Sequence, residues 1–286
     1  MVLGSANMDM TVEVGELPEL GETVIGRDYE LRPGGKGANQ AVAAAVYGGA
    51  AVSFAGSVGD DRYGPPLRDA LAAVGVDVSR LRTVHGRKTG VAVVLVDRRG
   101  DNAIIVSPGA NHAPTAAEVE ELLPDLDSAA GLLMQMELPV PVVERATELA
   151  HAAGVPVVLN LAPATEVSDD VLRRLAVLVV NRSEAEFLLG EALPDVAHIL
   201  THIRRLKERG PAVVVVTAGA DGAVFDDGHG PVHVPAHTVE ARDTAGAGDA
   251  FVGVLAARLC GGDELPEAVD AATEAAAAAV QIHGAS

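Results

Sequence analysis

Leu132-Leu-Met-Gln-Met136, Val155-Pro-Val-Val-Leu159, Val177-Leu-Val-Val180 and Ala212-Val-Val-Val-Val216 recur along the second half of the chain. Each is a short, predominantly apolar run, and each is followed by one polar residue: Glu137, Asn160, Asn181 and Thr217. Between them lie segments with helical spacing, at Val140 to Ala153, Asp169 to Leu175, 183–189 and about 196–209. A strand that is apolar on both faces must be covered on both faces, which is the condition of a parallel sheet between helices. Right-handed crossovers then give an α/β fold, a doubly wound and mostly parallel sheet sandwiched by helices. Such sheets take ligands beyond the carboxyl ends of their strands. Singly, each of these polar residues reads equally well as a loop or cap residue. Their shared position at one sheet edge is what points to a site.

Outward from this core, Val2-Leu-Gly-Ser5 reads as a buried strand ending in Asn7 and Asp9. Met10, Val12 and Val14 alternate with polar residues, the period of a half-exposed strand. Gly21 to Gly26 and Tyr29 to Leu31 read as further short strands, so residues from about 10 to 32 form a small sheet standing off the main body. Val52 to Val58 is a strand, Pro66 to Val74 a helix, and Gly109 to His112 a loop. Thr89 to Val96 and Asn102 to Val106 form a hairpin around Asp97-Arg-Arg-Gly100, a partner for the small sheet. Val232 to Pro235 is a last strand, and Pro266 to Val280 an alanine-rich final helix. No repeat or linker divides the chain, so residues 1–286 read as a single α/β domain.

Two glycine-rich turns feed helices. Asp243-Thr-Ala-Gly-Ala-Gly-Asp249 runs into a buried helix from Ala250 to Leu259. Gly246, Ala247 and Gly248 leave backbone N–H groups bare at the positive end of that helix, a ready anion site. Asp249 beside it suits a base taking a proton from an attacking hydroxyl, which suggests phosphoryl transfer to an alcohol. Taken alone, the stretch also reads as a softened loop with Asp249 as an ordinary cap. The other turn, Pro33-Gly-Gly-Lys-Gly-Ala-Asn-Gln40, matches neither a Walker A motif nor a dinucleotide fingerprint. Its glycines allow close backbone approach to a ligand, with Lys36 and Asn39 as polar contacts. A plain turn with Lys36 in solvent is the alternative.

Composition limits the function. The formal net charge is -19, which argues against nucleic-acid or anionic-membrane partners. Hydrophobic residues make up 49% of the chain and aromatics 2%, with no Trp, so the core is Ala, Val and Leu. Cys260 is the only cysteine, which excludes an intrachain disulfide and fits a reducing cytoplasm. Met1 opens directly on a strand-like run rather than a signal peptide. No apolar run approaches the ~20 residues of a membrane helix.

With these motifs in place, the sequence resembles the ribokinase (PfkB) family of carbohydrate kinases. Gly34-Gly-Lys-Gly-Ala-Asn39 and Asp243 to Asp249 carry the resemblance. Asn7-Met-Asp9, Gly21-Glu-Thr23, Thr89-Gly90, Met134-Gln-Met-Glu137 and Asn181-Arg-Ser-Glu184 extend it over essentially the whole chain. It implies Asp249 as catalytic base and the amides of Gly246, Ala247 and Gly248 as the anion hole. It implies Asn7, Asp9, Gly35, Lys36, Asn39 and Glu137 as sugar contacts. Asn181, Thr217, Gly219, Ala220 and Gly222 fall on the nucleotide side, and Glu184 helps to place Mg²⁺ through water. A monovalent cation, usually potassium, falls to Asp243, Ala245, Ala279, Ile282 and Gly284. The small sheet is implied to be a lid, built from about 10–32 and 88–106, that covers the sugar and pairs with a second lid in a homodimer. The sequence departs from the pattern where it stops at Ser286, since relatives continue through a further loop and helix. One cation contact expected there has no counterpart.

The expected activity is therefore ATP-dependent phosphorylation of a sugar, D-ribose at its 5-hydroxyl, in the cytoplasm. Another sugar or a nucleoside is the alternative within the fold. A sugar- or nucleotide-binding protein without catalysis is the alternative from another class. A dinucleotide oxidoreductase is set aside, because the first strand is not followed by Gly-x-Gly-x-x-Gly.

Overall fold

The computed structural model describes residues 1–99, 101–240 and 244–281. In chain order the first half comprises β1 (Val2–Leu3), β2 (Asn7–Glu13), β3 (Tyr29–Gly34), α1 (Lys36–Val46), β4 (Ser53–Gly59) and α2 (Gly64–Ala73). It continues with β5 (Asp77–Val84), β6 (Gly90–Val96), β7 (Asn102–Ser107) and the single turn α3 (Val119–Leu122). The second half alternates: β8 (Leu132–Gln135), α4 (Val140–Ala152), β9 (Val157–Asn160), α5 (Asp169–Leu172), β10 (Val177–Asn181), α6 (Arg182–Leu189) and α7 (Val196–Lys207). After β11 (Val213–Thr217), β12 (Ala223–Asp226) and β13 (Val232–Val234) come α8 (Ala247–Gly261) and α9 (Leu265–Ala279).

Nine strands form one sheet in the order β13-β12-β11-β10-β9-β8-β1-β4-β5. Its pairings are parallel from β11 to β5, and β12 and β13 return antiparallel. Successive side chains on a strand point to opposite faces, and the two cores follow that alternation. Leu178 and Val180 face the core under α4, α5 and α7, while Val177 and Val179 face the core under α1, α2, α8 and α9. Each such fully buried Val or Leu is worth about 1.5–3 kcal/mol. This is the double covering that the apolar runs require.

A second, four-stranded sheet has the order β3-β2-β6-β7. It is joined to the main sheet through the short link from β1 to β2. Residues 21–26 are not a strand, contrary to the expectation from the sequence. β2 pairs with β3 from Tyr29 onward, so the earlier residues have no partner strand, and Ile25 is 93% exposed. Conversely, β5 and β12 escape the apolar-run criterion. β5 is the sheet's edge and carries Arg80 and Arg82, a common way of keeping an edge from pairing further.

From β1 the chain winds outward to β4 and β5, and then returns to β8 on the other side of β1. The direction of winding thus reverses between β1 and β8. A crevice opens at such a point, outside the carboxyl ends of the two strands.

Candidate active site

At the β1–β8 reversal, Ser5 Oγ donates to Glu137 Oε2 at 2.5 Å. The same oxygen accepts from Asn7 Nδ2 at 3.4 Å and from the backbone N–H of Lys36 at 3.2 Å. Glu137 therefore ties together β1, the start of β2 and the N-terminus of α1. Gly35 permits that approach. Its φ is 91°, and a Cβ there would lie 2.7 Å from the Asn7 nitrogen. Asn7 is oriented in turn by Asn111, whose Nδ2 donates to Asn7 Oδ1 at 2.7 Å.

Asp9 sits next along β2. Its Oδ1 is buried without a hydrogen-bond partner. Burial, followed by the charges of Glu137 and Asp249, raises its pKa to about 7, with Lys36 opposing. Burial also works against the charge on Lys36, but Asp249, Glu137, Glu184 and Asp9 outweigh it and hold that ammonium above its usual range. Lys36 is the cation common to these four carboxylates.

Asp249 lies on the first turn of α8 and is 8% exposed. The helix begins at Gly246, in the left-handed region at φ 77°, and Ala250 N–H makes a helical bond to Gly246 O at 2.8 Å. The N–H groups ahead of that bond are the end donors of the helix. A Cβ on Gly248 would have no heavy atom within 4 Å, so this end of the helix faces open space. α8 is apolar on every side and packs closely on α1. A Cβ on Gly253 would fall 2.4 Å from Gln40 O. The contact delivers Asn39 and Gln40 to the carboxylate: Asn39 Nδ2 donates to Asp249 Oδ2 at 3.2 Å and Gln40 Nε2 to Oδ1 at 2.8 Å.

A cavity of about 120 Å³ lies on the other side of Asp249, lined by Lys36, Asn160, Asn181, Glu184, Thr217, Gly246 and Gly248 among others. Asn181 and Thr217 are paired in register at the ends of β10 and β11. Glu184 is 7% exposed, and burial raises its carboxyl pKa, with the Asn181 N–H and Lys36 opposing. A second hollow of about 330 Å³ runs between α1, α2 and α8, with Asn39, Gly246, Asp249 and Ala279 on its wall.

The residues expected on the sugar side (Asn7, Asp9, Gly35, Lys36, Asn39, Glu137) thus gather at the reversal point, and Lys36 and Asp249 also line the cavity. Gly219 and Ala220 are exposed on the turn after β11, and Gly222 is buried against Val234 O. Asp243, Ile282 and Gly284 lie outside the described residues. Among the described residues, no group of three or more His, Cys, Asp or Glu side chains could hold a metal ion.

The pfkB family carbohydrate kinase profile matches residues 1–286. The chain belongs to this family. It is 35% identical to the ribokinase of Schizosaccharomyces pombe, covering 100% of this chain and 92% of that protein. It is 33% identical to a deoxyribokinase of Salmonella typhi over 89% of this chain and 83% of the relative. Among solved structures, Arabidopsis thaliana ribokinase complexed with ribose and ATP superposes with a TM-score of 0.88 at 30% identity, covering 99% of this chain and 92% of that one. The doubly wound reading of the sheet is thereby a property shared with the pfkB family.

Sequence reasoning passed over Gln40, Gln135, Ser5 and Asn111. All four are at most 1% exposed. Gln40 directly follows the glycine motif, and Gln135 interrupts an apolar strand. A polar residue inside an otherwise buried pattern was the signal available.

Proposed function

We propose that this chain is an ATP-dependent sugar kinase that phosphorylates D-ribose at its 5-hydroxyl. The observation that carries the reading is Asp249, held on the first turn of α8 beside the carboxylate-rich crevice and lining the cavity. In this reading Asn7, Asp9, Gly35, Lys36, Asn39 and Glu137 bind the sugar hydroxyls. Asp249 takes the proton of the attacking hydroxyl as its oxygen bonds to the γ-phosphorus and the bond to the β-phosphate oxygen breaks, releasing ADP. The N–H groups of Gly246, Ala247 and Gly248, with Lys36, stabilise charge on the transferred group. Asn181, Thr217, Gly219, Ala220 and Gly222 form the nucleotide side.

Bound with ATP, Mg²⁺ would neutralise charge on the phosphate oxygens. Glu184 fits a role in placing it, because its buried carboxyl lines the cavity and only one oxygen is taken by the Asn181 N–H. A potassium site at Asp243, Ala245, Ala279, Ile282 and Gly284 belongs to the same proposal. It is supported by Ala279 and Gly246 both lining the second hollow. The four-stranded sheet is proposed as a lid over the sugar and as the contact with a second copy, with Ile104 and Ile105 exposed on β7. No helix among the described residues is long and apolar enough to cross a membrane, and a cytoplasmic location is part of the proposal.

ADP release from Mg-ATP with D-ribose tests it, run against 2-deoxyribose, ketohexoses and nucleosides, with potassium and with an inert cation. The deoxyribokinase likeness favours 2-deoxyribose as the second acceptor to measure. Asp249→Ala should lower kcat by about 10²–10⁴-fold while calorimetry still records sugar binding. Turnover with none of these acceptors, in a folded sample that binds ribose, would replace the kinase with a binding protein.

A further inference from the structure

A chain of buried amides runs from the sheet to Asp249, and its polarity is set at one end. Asn160 Nδ2 donates to Val179 O on β10 at 3.2 Å, which leaves Asn160 Oδ1 facing α1. That oxygen accepts from Gln40 Nε2 at 2.9 Å, so Gln40 must present its NH₂ group to both Asn160 and Asp249. Gln40 Oε1 then takes the Nε2 of Gln135, at 2.7 Å. The other end of Gln135 lies against Gly4, where a Cβ would fall 2.4 Å from Gln135 Oε1, and that oxygen is buried with no hydrogen-bond partner. Both glutamines are 0% exposed. A core that needed only packing would hold an apolar side chain at position 135, since an unpaired buried carbonyl is unfavourable.

We propose that Gln135 and Gln40 are positioning residues that fix Asp249 in one orientation and hold it as a hydrogen-bond acceptor. The proposal rests on Asp249 acting as the base. Neither glutamine faces the crevice or the cavity, so neither is a substrate contact. Without Gln135, the Gln40 amide keeps its polarity from Asn160 but loses the bond that holds its Oε1, so the donor it offers Asp249 is less rigidly placed. The demand is acute because Asp9 on β2, Glu137 after β8 and Glu184 on α6 all place negative charge near Asp249, with Lys36 on α1 as the counter-charge.

The test uses Gln135→Leu, Gln40→Glu and Asp249→Asn in the full chain, with Mg-ATP and D-ribose. Gln135→Leu exchanges one unpaired buried carbonyl, its own, for another at Gln40 Oε1, so the unfolding temperature should change little. Both KM values should hold and kcat should fall about 10–100-fold, as displacement of a reacting group does. Gln40→Glu is nearly isosteric and sets a second carboxyl against Asp249. The pair then shares a proton, and the acidic limb of the kcat profile should move up by about one pH unit or more. Should Gln135→Leu fail to fold, Gln40→Glu decides. Unchanged kcat and an unmoved limb in these variants, beside an inactive Asp249→Asn, would overturn the positioning role alone. An Asp249→Asn variant with full turnover would instead remove Asp249 as the base.

Discussion

Glu184 and Asn181 cap each other: Asn181 Oδ1 accepts the backbone N–H of Glu184 at 2.8 Å, and Glu184 Oε2 accepts the backbone N–H of Asn181 at 2.8 Å. This capping box starts α6 at the wall of the cavity. The cap and the proposed metal role fall on one side chain and can be separated. Glu184→Gln keeps an acceptor for the Asn181 N–H and removes the charge, so KM for Mg-ATP should rise with little change in melting temperature. Glu184→Ala should also lose about 1 kcal/mol of cap stability, a fall of about 2–4 °C. Thermal melts and ATP titrations of the two variants check both parts.

Gly248 and Gly246 stand two residues apart and answer to different constraints. Gly248→Ala should leave the melting temperature equal or slightly higher, since a Cβ there meets no heavy atom and alanine favours helix. It should nonetheless weaken turnover by occupying space over the phosphoryl position. Gly246→Ala places a side chain at φ 77° and should cost about 1–2 kcal/mol. Equal melting temperatures for the two variants would contradict the start of α8 described here.

Asp9 imposes a pH dependence whose sign is fixed by the direction of its shift. Its folded pKa, about 7, lies above the ordinary value of 3.8, so the folded chain keeps a proton that the unfolded chain releases. Stability therefore falls as pH rises from about 4 to about 7. Unfolding temperatures of Asp9→Asn should fall less than those of the wild type between about pH 5 and 7. Sugar hydroxyls donating to the carboxylate would favour its charged form, so ribose binding near neutral pH should release a proton. Calorimetry in buffers of different ionisation enthalpy reads that release, and Asp9→Asn should lose it.

The parts of the fold legible in the sequence are those where one physical condition acts alone. β8, β9, β10 and β11 are covered on both faces and so are apolar along most of their length, with Gln135 in β8 and Asn160 at the end of β9 as the buried exceptions. β5 was not legible because an edge strand carries charge, and β12 because four residues after a glycine turn give too short a pattern. Residues 21–26 show the converse: Thr23, Val24 and Ile25 have strand-forming side chains, but no neighbouring strand is there to bond them. In the site, Asp249, Lys36 and Asn39 were legible because glycines mark places where backbone comes close to a ligand. Gln40 and Gln135 were not, because a glutamine in an alanine-rich helix or an apolar strand gains meaning only once its partner, far along the chain, is in place.

Gly253 sets the distance between α1 and α8. A Cβ at this position would lie 2.4 Å from Gln40 O and 2.7 Å from the Ala43 Cβ. Gly253→Ala must push the helices apart and should cost about 1–3 kcal/mol. Because Asp249 is one turn away on α8, kcat should fall more than KM for ribose. A variant that melts lower yet keeps full kcat would show that Asp249 is held independently of this contact.

The bonds from Asn39 and Gln40 to Asp249 join residues 210 and 209 positions apart in the chain. Contacts of such separation close late, because the entropy of a long loop must be met before they contribute. On the ribosome, β1 is made first, but its neighbour β8 and the helix that carries Asp249 emerge only much later. All nine strands of the main sheet, and the glycine turn proposed to face the sugar, are made before Asp249, the proposed catalytic base. Activity should therefore appear in one late step of synthesis or refolding, after the secondary structure signal has largely returned.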